Sequence, residues 1–374
     1  MQVGVLAGAA VACAQTRRGP QVEQTRDVTR AVAVYEWTGE MAKPTAARVV
    51  PISLYIGKRY EDAGVYLSRP VPLALETGNL YEVEKAGVAV GTVQLETAMH
   101  LHVPENAADR YDEGWFAYGV FEAAKSAVSV AKSKTSEDER PHLGKHDSKS
   151  DAPSADADRP TLRKAPQAKQ KKEVETASVS EAGGLLAEDA NRPKLHRGAE
   201  GTAHIADLKG VPAEMEQAVM VNDAADAPEH DFEYVFATEG DRDAAVARLR
   251  GMAREMVRPA AGAGRYAPIL FTGEDFRAFE TSYGGAVVWA YAARVGARRV
   301  VLLVEPDIYG RLTVLIQQVT DGTTGMRLVD AVDAAGDHRA ELLYEVRTGN
   351  SRVFKLLRVM AGRVEEVFST GTMQ

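Results

Sequence analysis

Residues 132–141, KSKTSEDERP, 148–160, SKSDAPSADADRP, and 164–175, KAPQAKQKKEVE, decide how this chain is laid out, because nothing in them can build a core. No Phe, Tyr or Trp occurs between Phe121 and Phe232. Ala, Ser, Asp, Glu, Lys and Pro take their place. So little apolar surface cannot offset an ordering cost of about 1 to 2 kcal/mol per residue. Residues 122–230 therefore read as a disordered linker, with short helices only at its edges, around 123–131 and 212–219. A flexible coil of that length spans roughly 60 Å, so the domains on either side are expected to move independently.

On the amino-terminal side, residues 27–121 read as β. Short β-branched or aromatic runs at 28–37, 48–56, 64–67, 80–83 and 88–95 are separated by the turn signals Gly57-Lys58, Thr77-Gly78-Asn79 and Lys85-Ala86-Gly87. Pro51, Pro70 and Pro72 assign their strands to edges or bulges. A small β-sandwich or barrel follows from this spacing. On the carboxy-terminal side, residues 231–374 open with a helix over 241–257, where Val246, Leu249, Ala253, Met256 and Val257 recur at helical spacing. Asp241 or Thr238 caps it and Pro259 stops it. Strand-like runs then follow at 268–271, 276–281, 286–294, 298–304, 312–319, 327–329, 341–347, 353–359 and 364–368. Their connections are too short for parallel crossovers, so one helix on an antiparallel meander is the economical architecture. The fold class is mainly β, with an α+β carboxy-terminal domain.

The totals exclude several functions. The chain has 374 residues, 45% hydrophobic and 26% charged, which argues against a fibre or a multi-pass membrane protein. Its 45 Lys and Arg against 53 Asp and Glu leave a net charge of -8, which argues against a nucleic-acid binder that works by phosphate neutralisation. Residues 3–14, VGVLAGAAVACA, form an uncharged apolar run that ends in Ala12-Cys13-Ala14. This reads as a signal peptide, residues 1–14, cut after Ala14, although no basic residue precedes the run. It is too short to cross a bilayer, which takes about 20 residues. An exported protein, periplasmic or secreted, is expected. Ala10-Val11-Ala12-Cys13 loosely resembles a bacterial lipobox, which implies lipoprotein anchoring at Cys13, the one cysteine of the chain. A mature chain that starts near Gln15 has no thiol for disulfides, nucleophilic catalysis or cysteine-based metal sites.

The linker carries an internal repeat. An acidic residue or Asn, then R-P-x-L, then a basic residue two positions on, occurs at Arg140-Pro141-His142-Leu143, at Arg159-Pro160-Thr161-Leu162 and at Arg192-Pro193-Lys194-Leu195. One reading is a spacer that recurs by duplication. The other is a docking motif: Pro pre-sets an extended backbone, Leu is a single apolar anchor, and the basic residues address an acidic surface. Arg140, Pro141, Leu143, Arg159, Pro160, Leu162, Arg192, Pro193 and Leu195 are then the partner-binding residues, and an envelope protein or an anionic polymer is the partner. The repeat resembles those in uncharacterised exported bacterial proteins, a resemblance that brings no activity with it.

Asp333, Gly336, Asp337 and Glu341 resemble the acidic calcium loop of FG-GAP and VCBS-type repeats. That resemblance implies a calcium site at Asp333, Asp337 and Glu341, with Asp330 as a substitute oxygen because Ala335 stands where the central carboxylate belongs. The other reading is a plain acidic hairpin turn. His100 with His102, and His142 with His146, make no convincing metal set. Glu61-Asp62, Asp112-Glu113, Glu274-Asp275 and Glu365-Glu366 read as solvated charge rather than as a general acid and base. Trp115-Phe116-Ala-Tyr118 and Trp289-Ala-Tyr291 read as core. The leading expectation is an exported, non-enzymatic interaction protein. One alternative is a cell-wall or carbohydrate-binding protein, since residues 65–97, with the GVAVGTV hairpin at 87–93, also pass as a bacterial SH3-like barrel. The other is a carboxylate-dependent hydrolase, for which no motif speaks.

Overall fold

Strands β1 (Arg30–Glu40) and β2 (Lys43–Ile56) form a long hairpin whose alternation sets the architecture of the amino-terminal half. On β1, Ala31, Ala33, Tyr35 and Trp37 point into one core, while Val32 and Val34 point into another. The register slips between Val32 and Ala33, opposite Pro51, so the proline sits at a bulge where its missing N–H is tolerated. β3 (Arg59–Asp62) extends β2 through the turn at Gly57-Lys58. β4 (Leu80–Lys85), β5 (Val88–Leu101) and β6 (Gly114–Ala123) complete the strands of this half that precede the expected linker. The computed structural model describes residues 29–66, 70–104, 106–107, 110–124, 207–223, 229–258, 268–282, 286–321 and 324–371.

Closure comes from β7 (Glu216–Asp223), which inserts between β1 and β4. The order β1-β7-β4-β5-β6-β2, with β2 pairing back onto β1, makes a closed barrel of six antiparallel strands. β7 lies inside the stretch expected to be a linker, so that boundary is corrected: residues 207–223 belong to the barrel, and the helix expected at 212–219 is a turn followed by a strand. The absence of aromatics misled the expectation for a physical reason. Tyr35, Trp37, Tyr81 and Phe121 from other strands already fill the barrel, and β7 supplies the smaller Ala218 and Met220 between them. The run at 64–67 is not a strand where it is described, and of the stretch that passed as an SH3-like barrel only β4 and β5 enter this one.

The carboxy-terminal half is two stacked meanders rather than one. β8 (Thr272–Glu280), β9 (Val287–Val295), β10 (Arg298–Pro306) and β11 (Leu312–Thr320) form the outer sheet. β12 (Thr324–Val332), β13 (Glu341–Thr348), β14 (Ser351–Met360) and β15 (Arg363–Ser369) form the middle sheet. The two sheets share a core of Phe279, Val288 and Leu303 against Leu342, Tyr344 and Leu357. The run at 268–271 forms no strand.

Helix α1 (Glu239–Val257) covers the far face of the outer sheet. Thr238 caps it in a reciprocal box: the Asp241 amide donates to Thr238 Oγ1 at 3.2 Å and the Thr238 amide donates to Asp241 Oδ2 at 3.1 Å, an arrangement worth about 1 kcal/mol. Ala245, Leu249, Ala253 and Val257 recur every fourth residue as the buried face, and the last three meet Tyr291, Val300 and Leu302. No described helix is long and apolar enough to cross a membrane.

The halves do not move independently. Val32, Val34, Val50, Ile52, Phe116 and Val219 on the outside of the barrel pack in one cluster with Val329, Leu343, Phe354 and Leu356 of the middle sheet. The expectation of two separately mobile domains is thereby corrected. The barrel wall is apolar on both faces, which period-two patterning cannot separate from a strand buried on one side only.

Candidate functional site

The same alternation that aims Val32 and Val34 at the middle sheet aims Glu36 there too. Arg48 on β2, Gln217 on β7, Glu345 on β13 and Arg352 on β14 arrive at the same place. The side chains of Glu36, Arg48, Glu345 and Arg352 are fully buried. Arg352 Nη1 donates to Glu36 Oε1 at 2.6 Å and Nη2 to Oε2 at 3.2 Å, while Arg48 Nε donates to Glu36 Oε2 at 2.7 Å. Gln217 Nε2 bridges the two acids, 2.9 Å from Glu36 Oε1 and 3.4 Å from Glu345 Oε2. Burial alone would raise the Glu36 carboxyl, but the Arg352 and Arg48 guanidinium groups outweigh it and hold it well below the usual range.

Arg48 also fastens the chain where it re-enters the barrel. Its Nη2 donates to the Gly210 carbonyl at 2.7 Å and its Nη1 to Asp112 Oδ1 at 2.6 Å. Both Asp112 oxygens in turn accept from the Gly210 amide at 2.8 Å. The Leu208 amide donates to the Ala47 carbonyl at 3.3 Å. At the departing end, the Ala124 amide donates to the Val90 carbonyl at 3.0 Å. The described residues that flank 125–206 are therefore both held on the barrel, Ala124 beside β5 and Leu208 beside β2. In sequence that stretch is an excursion between two points of one fold, not a tether between two folds.

The R-P-x-L residues Arg140, Pro141, Leu143, Arg159, Pro160, Leu162, Arg192, Pro193 and Leu195 lie in that excursion, outside the described residues, as do residues 1–14 with Cys13, and His142 and His146. The acidic loop is described, and its carboxylates are occupied by the protein itself. Asp333 accepts from the Asp337 amide at 3.0 Å and from the His338 amide at 2.8 Å. Glu341 accepts from the Ala334 amide at 3.0 Å and from Arg358 Nε at 2.8 Å. Asp337 Oδ1 accepts from the Arg339 amide at 3.2 Å. Asp330 accepts from the Ala331 amide at 2.8 Å, with Arg277 at 3.8 Å. A calcium ion needs six to eight oxygens aimed at one centre. These oxygens close a turn instead, and among the described residues no three His, Cys, Asp or Glu side chains are grouped to hold a metal ion.

Beside that turn lies Glu84 on β4, buried, with Arg30 Nη2 at 3.9 Å as its nearest cation. Burial pushes its carboxyl up to about 7 against the pull of Arg30, and Glu82, Asp333 and Asp330 push the same way. His100 Nδ1 lies 3.0 Å from His102 Nε2, and His102 Nδ1 lies 3.3 Å from Glu113 Oε1, an exposed chain of polar contacts on one edge of the barrel. Phe116, Tyr118 and Tyr291 are buried, as expected of core aromatics.

Sequence reasoning missed Glu36, Arg48, Glu345 and Arg352. Each is a charged residue at an apolar position of an alternating strand, and that irregularity is the only signal they leave. Comparison with protein-family models, with curated proteins and with solved structures found no match.

Proposed function

We propose that the chain is an exported, non-enzymatic interaction protein, in which a fused barrel and sheet body presents the R-P-x-L repeats of residues 125–206 to an envelope protein or anionic polymer. The observation that carries this reading is the anchoring of both ends of that stretch on one barrel, at Ala124 and at residues 207–210. Ends fixed on a common body confine three motifs to one neighbourhood, so each docking event raises the effective concentration of the next. The closure entropy is already met in the free protein and grows only slowly with loop length. Export rests on the apolar run at 3–14 with its cleavage pattern at Ala14.

Changing Arg140, Arg159 and Arg192 together to Ala tests the proposal on the full chain. Cross-linking to envelope components is expected to fall at least tenfold, as avidity is lost at three sites at once. Capture that is unchanged in the triple variant would assign the repeats to a spacer and end this reading.

A further inference from the structure

Where the ends of the outer and middle sheets face each other there is a cavity of about 600 Å³, and five of its lining residues are arginines: Arg294, Arg298, Arg299, Arg327 and Arg347. They come from the end of β9, the start of β10, and β12 and β13. In a chain of net charge -8 this concentration of one sign needs a physical reason.

The carboxylates in the same wall do not neutralise it. Glu345 is held by Arg347 at 2.9 Å and faces Arg352 at 3.5 Å. Glu216 pairs with Arg327 at 3.6 Å, and Asp275 pairs at 3.2 Å with Arg277, which is not part of the lining. Arg298 donates to the Val257 carbonyl, at the end of α1, at 3.3 Å. Among the described residues this leaves Arg294 and Arg299 with no ion-pair partner. They also stand directly opposite each other in the β9–β10 register, and like charges in that relation destabilise a sheet. Arg299 Nε is withdrawn from solvent with no hydrogen-bond acceptor. Burial, together with Arg327, Arg294 and Arg347, outweighs the pull of Glu345 and drives the Arg299 guanidinium pKa below its ordinary value. The cavity thus holds five arginines against three carboxylates, and one of its buried donors, Arg299 Nε, has no acceptor.

We propose that this cavity is a binding site for a phosphate-bearing ligand, whose oxyanion accepts hydrogen bonds from Arg299 and Arg294 while Met215 and Met326 line the space for the rest of the molecule. The planar fork of a guanidinium matches phosphate oxygens in pairs, and two unpaired arginines balance a dianion where a lone carboxylate would balance one. The volume falls in the range of roughly 300 to 1,000 Å³ that holds small ligands and exceeds what inorganic phosphate alone would fill. The site is independent of the R-P-x-L repeats and of the function proposed for them.

The test is calorimetric titration of the full chain with inorganic pyrophosphate and, separately, with long-chain polyphosphate, at low and at high salt. Binding that weakens as salt rises is expected for the wild type. Arg299→Gln and Arg294→Gln should each weaken it about ten- to hundredfold. Arg254→Gln, an exposed arginine on α1, should leave it within about twofold. Tighter binding of polyphosphate per phosphate would assign the ligand to a polymer, and preference for pyrophosphate to a small soluble ester. Because the two cleft variants relieve a like-charge contact, their ligand-free melting temperatures should not fall below that of the wild type, so lost binding cannot be ascribed to unfolding. Absence of wild-type binding to both probes, or equal loss in Arg254→Gln, would overturn the assignment.

Discussion

Arg352 and Arg299 are the same side chain in two regions joined through Glu345, and their charges are handled in opposite ways. Burial disfavours both guanidinium groups. At the junction of barrel and middle sheet, Glu36 and Glu345 outweigh that penalty and raise the Arg352 pKa. In the cavity, Arg327, Arg294 and Arg347 add to the penalty, outweigh the same Glu345 and lower the Arg299 pKa. A buried charge with its partners in place holds two elements together, whereas one whose like-charged neighbours outweigh its carboxylate marks a candidate binding site. The first region explains why the two halves are locked together. The second has no such explanation from the fold alone.

Removing a partner from the junction should have the largest effect. Arg352→Met leaves Glu36 and Glu345 undercompensated in a dry interface, and a loss of about 3 to 5 kcal/mol is expected in urea unfolding. A loss below about 1 kcal/mol would break the contrast, because the junction would then be no more committed to stability than the cavity.

Next in size is Glu84, an acid on the same barrel but without a close partner. Its folded carboxyl keeps its proton up to about 7, against an ordinary value of 4.5. Folding therefore takes up a proton between those values, so this group's contribution is present in full below about 4.5 and is lost as pH rises through 7. Glu36 runs the other way: its depressed pKa contributes stability above its ordinary value, lost only as pH falls further. Glu84→Gln, which mimics the protonated acid, should gain on the order of 2 kcal/mol at pH 8 and almost nothing at pH 4. Equal effects at both pH values would show that Glu84 is ionised throughout.

Smaller still is the excursion. If both of its ends are fixed on one barrel, replacing residues 126–192 with a short Gly–Ser linker should leave the body folded and gain about 1 kcal/mol, as loop-closure entropy falls. A large loss of melting temperature would show that the stretch supports the body. The smallest effect belongs to Arg294→Gln without ligand. Relief of the pair opposite Arg299 should add a few tenths of a kcal/mol, which sets its sign against that of Arg352→Met.

Much of the fold was legible because it is encoded locally. Thr238 and Asp241 announce the helix within four residues, and its buried face repeats within three turns. The runs that became β9, β10, β11 and β13 to β15 are separated by turn residues that lie next to them in the chain. The acidic loop at Asp333 was legible as a turn and illegible as a metal site, since amides and a cation can both be bound by the same oxygens and only their direction separates the two.

β7 is encoded by partners that no local signal reveals. Its Ala218-Val219-Met220-Val221 run was visible, but its partners are Tyr35, Val34, Ala33 and Val32, far away along the chain. Without that pairing the run sits in a stretch whose composition speaks for openness.

What the amino-acid sequence determined by itself is the class of structure, the helix at 239–257 with its cap, and the order of the turns, because each depends on residues within a few positions of one another. Only the tertiary structure decided that β7 closes the barrel, that barrel and sheets share one core, and which arginines meet acids and which meet one another. Those outcomes depend on burial and charge summed over residues that come together only when distant strands pair.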